Sequence, residues 1–537
     1  MSGATGGSFT ILVNHGAQDN ILLATKKLEE RINKIKSDKL NKVNTNLDLL
    51  YKKFNKLKIE LDNYPSKYDI IMKKINIIKK QIEILNNTNI LPTIADINLT
   101  HDFYLSRTFK PFVSIGSEYS KSIVSIKPQL GGTCQFKIPI YGDFFSDMVL
   151  YIKLTEFNSI NALNKVRYCD YLGHRLIQNT KMVLDGETID EYTCEDYNFY
   201  YQYSLPLDKQ NAWKKCIGQE VPIEAYITSD PQLHEFREVK MIKNGPQTLK
   251  RTQPSLELFI PLLFWFTDSK YALLNHNIPT LQSFIEFNFG TRTDITYCDN
   301  VAGDTGKLYN PPTIEECALY VKHIFISPEI LDIFINRTGF TLIRTHRSNQ
   351  LIINNSYGDV QLDKFKWPTE VLYISFRPVE NLSSDNSMET WYLNNKLTLT
   401  NIKYPVIFGP TDTLGQTDAY YYEKENIIKA LCMGCNEINV FEHMSSQFYN
   451  AYLPYKHSKT NNMALNDTGS FIMNFYLEDE LKYQPNGYLN LSKTSKLTFS
   501  YESEIISSDF PCFLNISAKS INFLLLEEKK CKLYYRL

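Results

Sequence analysis

The side chains best suited to chemistry, histidine and cysteine, are scattered along this chain. No two of its nine histidines lie within four residues of each other. The chain therefore lacks the HxH and HExxH patterns that place two zinc ligands on one strand or helix. An isolated histidine is most often an ordinary polar or core residue, so these positions predict no metal site. They are His15, His101, His174, His234, His276, His323, His346, His443 and His457.

Cys432 and Cys435 form the one CxxC motif among the ten cysteines. A zinc ribbon needs a second pair or nearby histidines, and thioredoxin-like chemistry needs a βαβ context. We favour structural cysteines here and keep a metal or redox role as the alternative. The cysteines show no disulfide-framework spacing, and the polar start after Met1 has no apolar signal core. We therefore expect reduced cysteines in a cytosol-type compartment.

Other catalytic signatures are also missing from the sequence. It contains no GxxxxGK[ST] phosphate loop, no GxSxG elbow and no GxGxxG turn. The acidic run at residues 478–480 is expected to be a solvated loop. The 58 basic and 59 acidic residues balance, which argues against a nucleic-acid binder. The sequence thus predicts a protein that is not an enzyme and has no catalytic residues, cofactor or metal.

The first secondary-structure elements that the sequence predicts lie in a basic, helical zone near the N-terminus. Residues 26–86 hold 15 lysines and Arg31 against eight acidic residues, a net charge of about +8. Apolar residues recur at steps of three and four, which places them on one face of each of two helices. Pro65 separates the helices, with the joint expected at Asn63 to Ser66. The apolar stripe is Leu40, Val43, Leu47, Leu50, Phe54, Leu57 and Leu61, then Tyr68, Ile71, Ile75, Ile78, Ile82 and Leu85.

This zone predicts an inserted αα-hairpin or coiled-coil pair that packs on itself. One alternative is an arm that binds another subunit or an internal protein. A second alternative is contact with nucleic acid or membrane through the lysines. The lysines surround the stripe as they would on a solvated face, which disfavours the second alternative.

From about Asn98 onward the pattern is that of a β protein. Aromatic residues make up 13% of the chain, and flat rings pack well on half-buried sheets. Short strands bounded by Gly, Pro, Asn and Asp favour sandwiches over βαβ units. The polar stretch Asn300–Pro312 divides this region into halves, which predicts two tandem β-sandwiches. The predicted strands include Cys134–Tyr141, Met148–Leu154, Lys181–Leu184, Phe284–Phe289, Ala318–Ile326, Val371–Phe376, Phe471–Leu477 and Lys496–Tyr501.

The longest apolar run of the chain is Leu256–Phe266. It is too short to cross a bilayer and contains Pro261. We interpret it as a buried strand.

Several motifs, in order along the chain, resemble the major capsid proteins of nucleocytoplasmic large DNA viruses, most of all those of giant amoebal viruses of the mimivirus type. They cover most of residues 11–24 and 98–502. The opening ILVNHGAQDNIL and the segment Leu99–Val113 resemble two pieces that the family joins directly, so the hairpin is inserted between them. The most recognisable motif is Leu258–Phe266 (LFIPLLFWF), similar to the family's LxIPLxFWF strand. The others are Tyr141–Asp143, Arg167–Ile177, Leu184–Asp190, Gln447–His457 and Gln484–Ser492.

The resemblance implies a mainly β fold, two tandem jelly-roll β-sandwiches (a double jelly roll) with an inserted N-terminal α-helical hairpin. Long loops at Asp185–Phe236 and Asn381–Asn426 are expected to form outer towers. We divide the chain into an N-terminal arm (1–25), the inserted hairpin (26–97), the first jelly roll (98–312) and the second jelly roll (313–537).

The resemblance also implies a function, that of a structural capsid protein. Three copies would form a pseudo-hexagonal capsomer of an icosahedral shell, in a virion assembled in the host cytoplasm. The expected partners are copies of the chain itself, neighbouring capsomers and, through the hairpin on the inner side, minor capsid or inner-membrane proteins. We expect no specific nucleic acid and no transmembrane segment.

Alternatives to this function stay open. The last residues, Ile521–Leu537, depart from the family's Gly-rich ending. A minor capsid paralogue and a non-virion double jelly-roll assembly scaffold are therefore kept as alternatives. A cupin-like enzyme or a carbohydrate-binding protein is the alternative from a different class.

Overall fold

The computed structural model divides into two compact units, Met1–Phe112 and Val113–Leu537. The structure describes residues 46, 48–60, 68–87 and 114–535 except for 125, 162, 231–234, 268–270, 280–281, 300–308, 336–338, 384–386, 409–412, 437, 458–468, 478–483, 492–495 and 528–529.

The first unit contains two helices, α1 (48–60) and α2 (Tyr68–Asn87). Ile71 and Ile75 of the predicted stripe are buried, and the Lys79 ammonium lies 6.0 Å from the centre of the Phe54 ring. Helices are therefore present on both sides of the predicted break, and they contact each other. The joint itself and the stripe before residue 46 lie outside the described residues.

The second unit begins with an antiparallel sandwich of two sheets. One sheet has the order β1-β16-β3-β11, with the short β12 beside β3, and the facing sheet has the order β2-β13-β6-β7. Its strands are β1 (Ile115–Ile123), β2 (Thr133–Lys137), β3 (Phe144–Leu154), β6 (Ile177–Leu184), β7 (Glu187–Thr193), β11 (Leu256–Pro261), β12 (Leu273–Leu274), β13 (Phe284–Phe289) and β16 (Ile314–Ile326).

A second antiparallel sandwich repeats the first. Its sheets have the orders β17-β27-β19-β24, with β25 beside β19 and β28 beside β27, and β18-β26-β22-β23. The strands are β17 (Gly339–Ile353), β18 (Tyr357–Gln361), β19 (Pro368–Pro378), β22 (Ile428–Cys435), β23 (Ile438–Ser445), β24 (Ser470–Asn474), β25 (Leu489–Asn490), β26 (Leu497–Ser503), β27 (Cys512–Glu527) and β28 (Lys530–Leu533).

Both sandwiches are jelly rolls. If the eight main strands of each are counted along the chain, one sheet is ordered 1-8-3-6 and the other 2-7-4-5 in both sandwiches. This order is that of two interleaved Greek keys. The predicted double jelly roll is confirmed.

The insertions carry the remaining elements. Short strands are β4 (Phe157–Ser159), β5 (Val166–Tyr168), β8 (Ile223–Asp230), β9 (Glu235–Ile242), β10 (Thr252–Gln253), β14 (Thr296–Cys298), β15 (Tyr309–Asn310), β20 (Lys396–Phe408) and β21 (Thr413–Glu425). Helices are α3 (Leu172–Leu176), α4 (Cys194–Tyr203), α5 (Leu207–Cys216), α6 (Arg292–Ile295), α7 (Pro328–Ile335), α8 (Glu380–Ser383), α9 (Ser387–Thr390) and α10 (Leu453–His457), which follows a π-helical turn at Phe448–Tyr452.

Three sequence predictions need correction. The boundary predicted at 312/313 is too early, because β16 pairs with β1 and β3 of the first sandwich, which therefore extends to Ile326. The predicted loop Asp185–Phe236 contains β7, and the insertion begins only at Cys194. The predicted strand Leu256–Phe266 ends at Pro261, since proline has no N–H to continue the ladder. The boundaries predicted at 25/26 and 97/98 lie outside the described residues.

The turn into β3 explains the motif at Tyr141–Asp143. Gly142 has a φ of +76°, and a Cβ added there would lie 3.0 Å from the Cβ of His323. The Asp143 carboxylate accepts a 2.8 Å hydrogen bond from the Ile326 backbone N–H. Glycine and aspartate together thus fasten this turn to the end of β16.

Candidate functional site

His174 shows what the isolated histidines do. It is fully buried on α3, with the Tyr171 and Tyr197 rings stacked on it at 5.6 and 5.3 Å. The Trp213 indole N–H donates to its Nε2 at 3.0 Å, and its Nδ1 lies 3.2 Å from Asn198 Oδ1. Burial lowers the pKa of His174 to about 3. The imidazole is therefore a neutral packing group that joins three helices of the insertions.

The other described histidines are not brought together. His323 bonds to Ser120 at 2.8 Å, His346 lies 3.3 Å from Asp190, and His443 lies 3.2 Å from Glu502. Cys432 and Cys435 are half-buried thiols on β22. Over the part of the chain that the structure describes, no group of three histidine, cysteine or acidic side chains could hold a metal. His15, His101 and His234 lie outside the described residues.

The functional residues that sequence reasoning missed lie between the two sandwiches. We call this contact the seam. It joins β7 and α4 of the first sandwich to β17, β19 and β27 of the second. The first sandwich contributes acids and the second contributes bases, so the two surfaces are complementary in charge.

Two acidic positions of the seam show this clearly. The Arg377 guanidinium donates through both terminal nitrogens to the Glu195 carboxylate, and both side chains are largely buried. The Asp190 carboxylate accepts a 2.7 Å hydrogen bond from the His346 backbone N–H. A two-pronged, buried arginine–carboxylate pair fixes orientation as well as distance.

A second group of charges extends this network. Arg344 is paired with Glu370 and donates to the Tyr271 hydroxyl of the first sandwich at 2.8 Å. Burial lowers the pKa of Lys519, with Arg344 acting in the same direction. The Ser517 hydroxyl donates to Asp196. The hydrogen bonds from Arg344 to Tyr271 and from Ser517 to Asp196 cross from one jelly roll to the other, whereas the Arg344–Glu370 pair lies within the second.

Aromatic packing reinforces the seam. Phe199 and Tyr203, one turn apart on α4, both stack on Tyr373 of β19 at 5.5 Å. They belong to the hydrophobic core of the second sandwich although α4 is part of the first. The helix thus fixes one jelly roll to the outer sheet face of the other.

The segment after β19 returns to the first sandwich. The Trp391 indole N–H donates to the Asp170 carbonyl at 2.7 Å, and the Asp170 N–H donates to the Met388 carbonyl at 2.8 Å. Burial, together with the charge of Glu389, raises the pKa of Asp170 to about 6. A cavity of about 320 Å³ lies beside this segment, lined among others by Arg175, Arg377 and Trp391. The polar groups of this segment join the two sandwiches to each other.

Sequence reasoning had one usable signal for this seam. Arg377 stands at the end of the mostly apolar strand VLYISFR, where an unpaired charge would be costly. Its partner Glu195 lies far away in sequence, and only the fold brings the two together. None of the helices that the structure describes is long and apolar enough to span a membrane.

Comparisons with known proteins agree with this geometry. The family model described as "Major capsid protein N-terminus" matches residues 107–327. The chain is 25% identical to the hexon protein p72 of African swine fever virus over 686 aligned positions, which cover 99% of this chain and 100% of that protein. It is 26% identical to the Faustovirus major capsid protein, with a TM-score of 0.71 over 83% of this chain and 97% of that one.

A more distant structure shows the fold alone. The PBCV-1 capsid model is 15% identical and has a TM-score of 0.58, covering 81% of this chain and 100% of that one. The likeness to p72 extends along the whole chain and the likeness to the Faustovirus protein along most of it. This protein is a capsid protein of the double jelly-roll type, and it is similar along its whole length to the major capsid proteins of nucleocytoplasmic large DNA viruses.

Proposed function

We propose that three copies of this chain form a pseudo-hexagonal capsomer by repeating the seam between neighbouring chains. Within one chain, β7 and α4 of the first jelly roll cover the outer sheet face of the second. We expect an equivalent contact between the second jelly roll of one copy and the first jelly roll of the next copy. This arrangement is head-to-tail. Such a contact closes into a ring when the rotation fits. Three chains then supply six jelly rolls.

The observation that carries this proposal is that each half of the seam has an uncovered equivalent. β23, the counterpart of β7, is exposed along most of its length, and Ile438 is 71% exposed. β1, the counterpart of β17, is similarly exposed, with Ile123 at 65%. Exposed apolar residues on unpaired edge strands are typical of interaction surfaces.

The aromatic residues match in the same way. In the chain, Phe199 and Tyr203 follow β7 and stack on Tyr373. Their counterparts after β23 lie on the Phe448–Tyr452 turn and α10, where Tyr452 and Tyr455 are exposed. The counterpart of Tyr373 is Tyr151, which lies at 5.0 Å from Phe259 and 5.8 Å from Tyr320. We expect Tyr452 and Tyr455 of one copy to pack on this ring cluster of the next.

The test is a pair of charge substitutions, one on each surface. Tyr455→Glu and Phe259→Glu should each convert a trimer to a monomer in native mass spectrometry of the purified protein. Tyr455 is 82% exposed, so its replacement should leave the thermal unfolding of the chain unchanged. Tyr357→Glu, at an exposed tyrosine outside both surfaces, is the matched control and should remain trimeric. Trimers that persist in both test variants would rule out this arrangement.

The helical unit supports a second contact. Its lysines at 52, 53, 56, 58, 73, 74, 79 and 80 are exposed, and so are Leu49, Ile59 and Ile77, which lie outside the stripe. Exposed apolar residues among lysines favour a protein partner over solvent alone. We propose that this unit faces the inside of the shell and binds a minor capsid or inner-membrane protein. Cross-linking of intact virions through these lysines tests the partner, and cross-links to outer-surface proteins would contradict it.

Copy number distinguishes the remaining alternatives. A principal capsomer subunit should be the most abundant shell protein in purified virions, as measured by quantitative mass spectrometry. A minor paralogue would be present at a small fraction of that amount, and an assembly scaffold would be absent from virions.

The insertions between β7 and β11 and between β19 and β22 are proposed to form the outer towers. Limited proteolysis of virions should then cut there first.

A further inference from the structure

A cavity of about 320 Å³ lies in the seam, and residues of both jelly rolls form its wall. The first roll contributes Arg175 of α3, and the second contributes Asn349 of β17 and Trp391. The volume falls at the lower end of the range of about 300–1,000 Å³ for small-molecule sites. The exposed residues Ser348 and Gln350 also line the cavity, so its rim meets the solvent. A small ligand can therefore enter without separation of the jelly rolls.

Arg175 is a buried cation that lines this cavity without a carboxylate partner. It is 6% exposed, and its guanidinium carbon lies 5.4 Å from the centre of the Trp391 ring. Within the described part of the chain its hydrogen bonds both come from Nη1, to the Ser387 carbonyl at 3.1 Å and the Met388 sulfur at 3.7 Å. Nε and Nη2 have no acceptor among those residues. A buried charge in this state is costly in free energy unless a counterion joins it.

The two acids that line the cavity are engaged elsewhere. Glu195 accepts hydrogen bonds from both terminal nitrogens of Arg377. The Asp294 carboxylate accepts hydrogen bonds from the backbone N–H and the hydroxyl of Thr291, at 2.8 and 2.6 Å. Over the described residues neither acid forms an ion pair with Arg175. The charge of Arg175 is therefore left for a ligand.

Asn349 adds a polar group from the second jelly roll. It is 8% exposed, whereas its neighbours Ser348 and Gln350 on β17 are exposed. The alternation of the strand thus turns Asn349 inward. Its side-chain amide makes no hydrogen bond to the residues that the structure describes. An amide can donate to an oxyanion and accept from a hydroxyl of the same ligand.

We propose that this cavity binds a small oxyanion, a phosphate or a carboxylate, which Arg175 holds as its counterion. The Nε and Nη2 edge of a guanidinium donates two parallel hydrogen bonds, which match two oxygens of one phosphate or carboxylate group. Asn349 supplies a contact from the second jelly roll. A ligand that contacts both rolls stabilises the seam, because it binds only while the rolls are docked.

The test uses the full chain, purified in chloride buffer without phosphate or carboxylate ions. Inorganic phosphate, glycerol 3-phosphate and acetate are added at matched ionic strength, with sodium chloride and glycerol as references. At about 100 times its dissociation constant, a bound oxyanion should raise the melting temperature by about 2–4 °C, whereas the references should not. Titration calorimetry compares the affinities of the probes and so separates phosphate from carboxylate ligands. An equal rise in sodium chloride, or no rise with any of the oxyanions, would overturn the proposal.

Substitutions on the two walls locate the ligand. Arg175→Met should weaken oxyanion binding about 10- to 100-fold and Asn349→Ala about 3- to 10-fold, because each removes hydrogen-bond donors. Arg347→Met is the matched control. Arg347 also lies on a tryptophan, 3.7 Å from the centre of the Trp367 ring, but it does not line the cavity. This variant should keep the affinity of the unmodified chain.

A crystal structure of the unmodified chain soaked in selenate decides the question even if Arg175→Met does not fold. Anomalous density for selenium beside the Arg175 guanidinium is the expected result. Selenate bound only at other places, or an unchanged affinity in a folded Arg175→Met variant, would contradict the assignment.

Discussion

At the scale of single residues, His174 couples the packing of the insertions to pH. Its ring accepts the Trp213 hydrogen bond and is buried among tyrosines. Burial disfavours the charged form that a second proton would create. The folded-state pKa lies well below the value of about 6.5 for an unfolded chain. The unfolded chain therefore binds more protons as the pH falls below about 6.5, and the stability of the fold decreases.

We expect His174 alone to cost about 2–3 kcal/mol of stability between pH 6.5 and pH 4.5. His174→Gln should be less stable at neutral pH, because the stacking is lost, yet should lose less additional stability on acidification. Urea unfolding at the two pH values measures both effects. His276→Gln, at an exposed histidine, is the control and should follow the unmodified chain. An equal acid loss in His174→Gln would contradict this account.

At the scale of elements, the helix α4 binds one jelly roll to the other. A capping box of Thr193 and Asp196 fixes its first turn directly after β7. Its aromatic residues then pack on the outer sheet face of the second sandwich, where they stack on Tyr373, and Glu195 pairs with Arg377. Because the pair is buried, removing one partner leaves an uncompensated charge inside the seam.

Arg377→Met should therefore destabilise the protein by about 3–5 kcal/mol, and adding Glu195→Gln should restore much of that loss. Denaturant unfolding of both single variants and the double variant gives the coupling free energy. Lys396→Met provides the matched control, because its pair with Glu425 is exposed and should contribute less than about 1 kcal/mol. A double variant no more stable than Arg377→Met would show that the charges do not act as a pair.

At the scale of the whole molecule, the chain combines a helical unit with a double jelly roll that could form a ring. The helical unit has its own buried residues, Ile71 and Ile75, and clusters separately from the β region. Units with separate cores usually unfold independently.

Deletion of residues 26–97 should shift the main melting temperature by less than about 2 °C and leave the proposed trimer intact. A longer truncation through residue 123 also removes β1, which pairs with β16 along its whole length. That truncation should lower the melting temperature clearly and abolish trimers. Calorimetry and native mass spectrometry of both truncated proteins measure these effects. A large loss of stability from the first deletion alone would show that the helical unit supports the jelly rolls.

The sequence alone determined the elements of this protein and their class. Alternating apolar residues predicted strands such as Phe284–Phe289 with the observed ends, and steps of three and four predicted the helices around Pro65. These patterns are local, since each depends on which face of one element is buried. The ordered motifs then indicated the double jelly roll.

Only the tertiary structure decided how the elements meet. β16 follows the polar stretch that suggested a domain boundary, yet it completes the first sandwich, because strand pairing depends on contacts far apart in sequence. Glu195 and Arg377 have no local signal that marks them as partners. Only long-range packing brings such residues together, and in this protein that packing forms the seam on which the proposed capsomer depends.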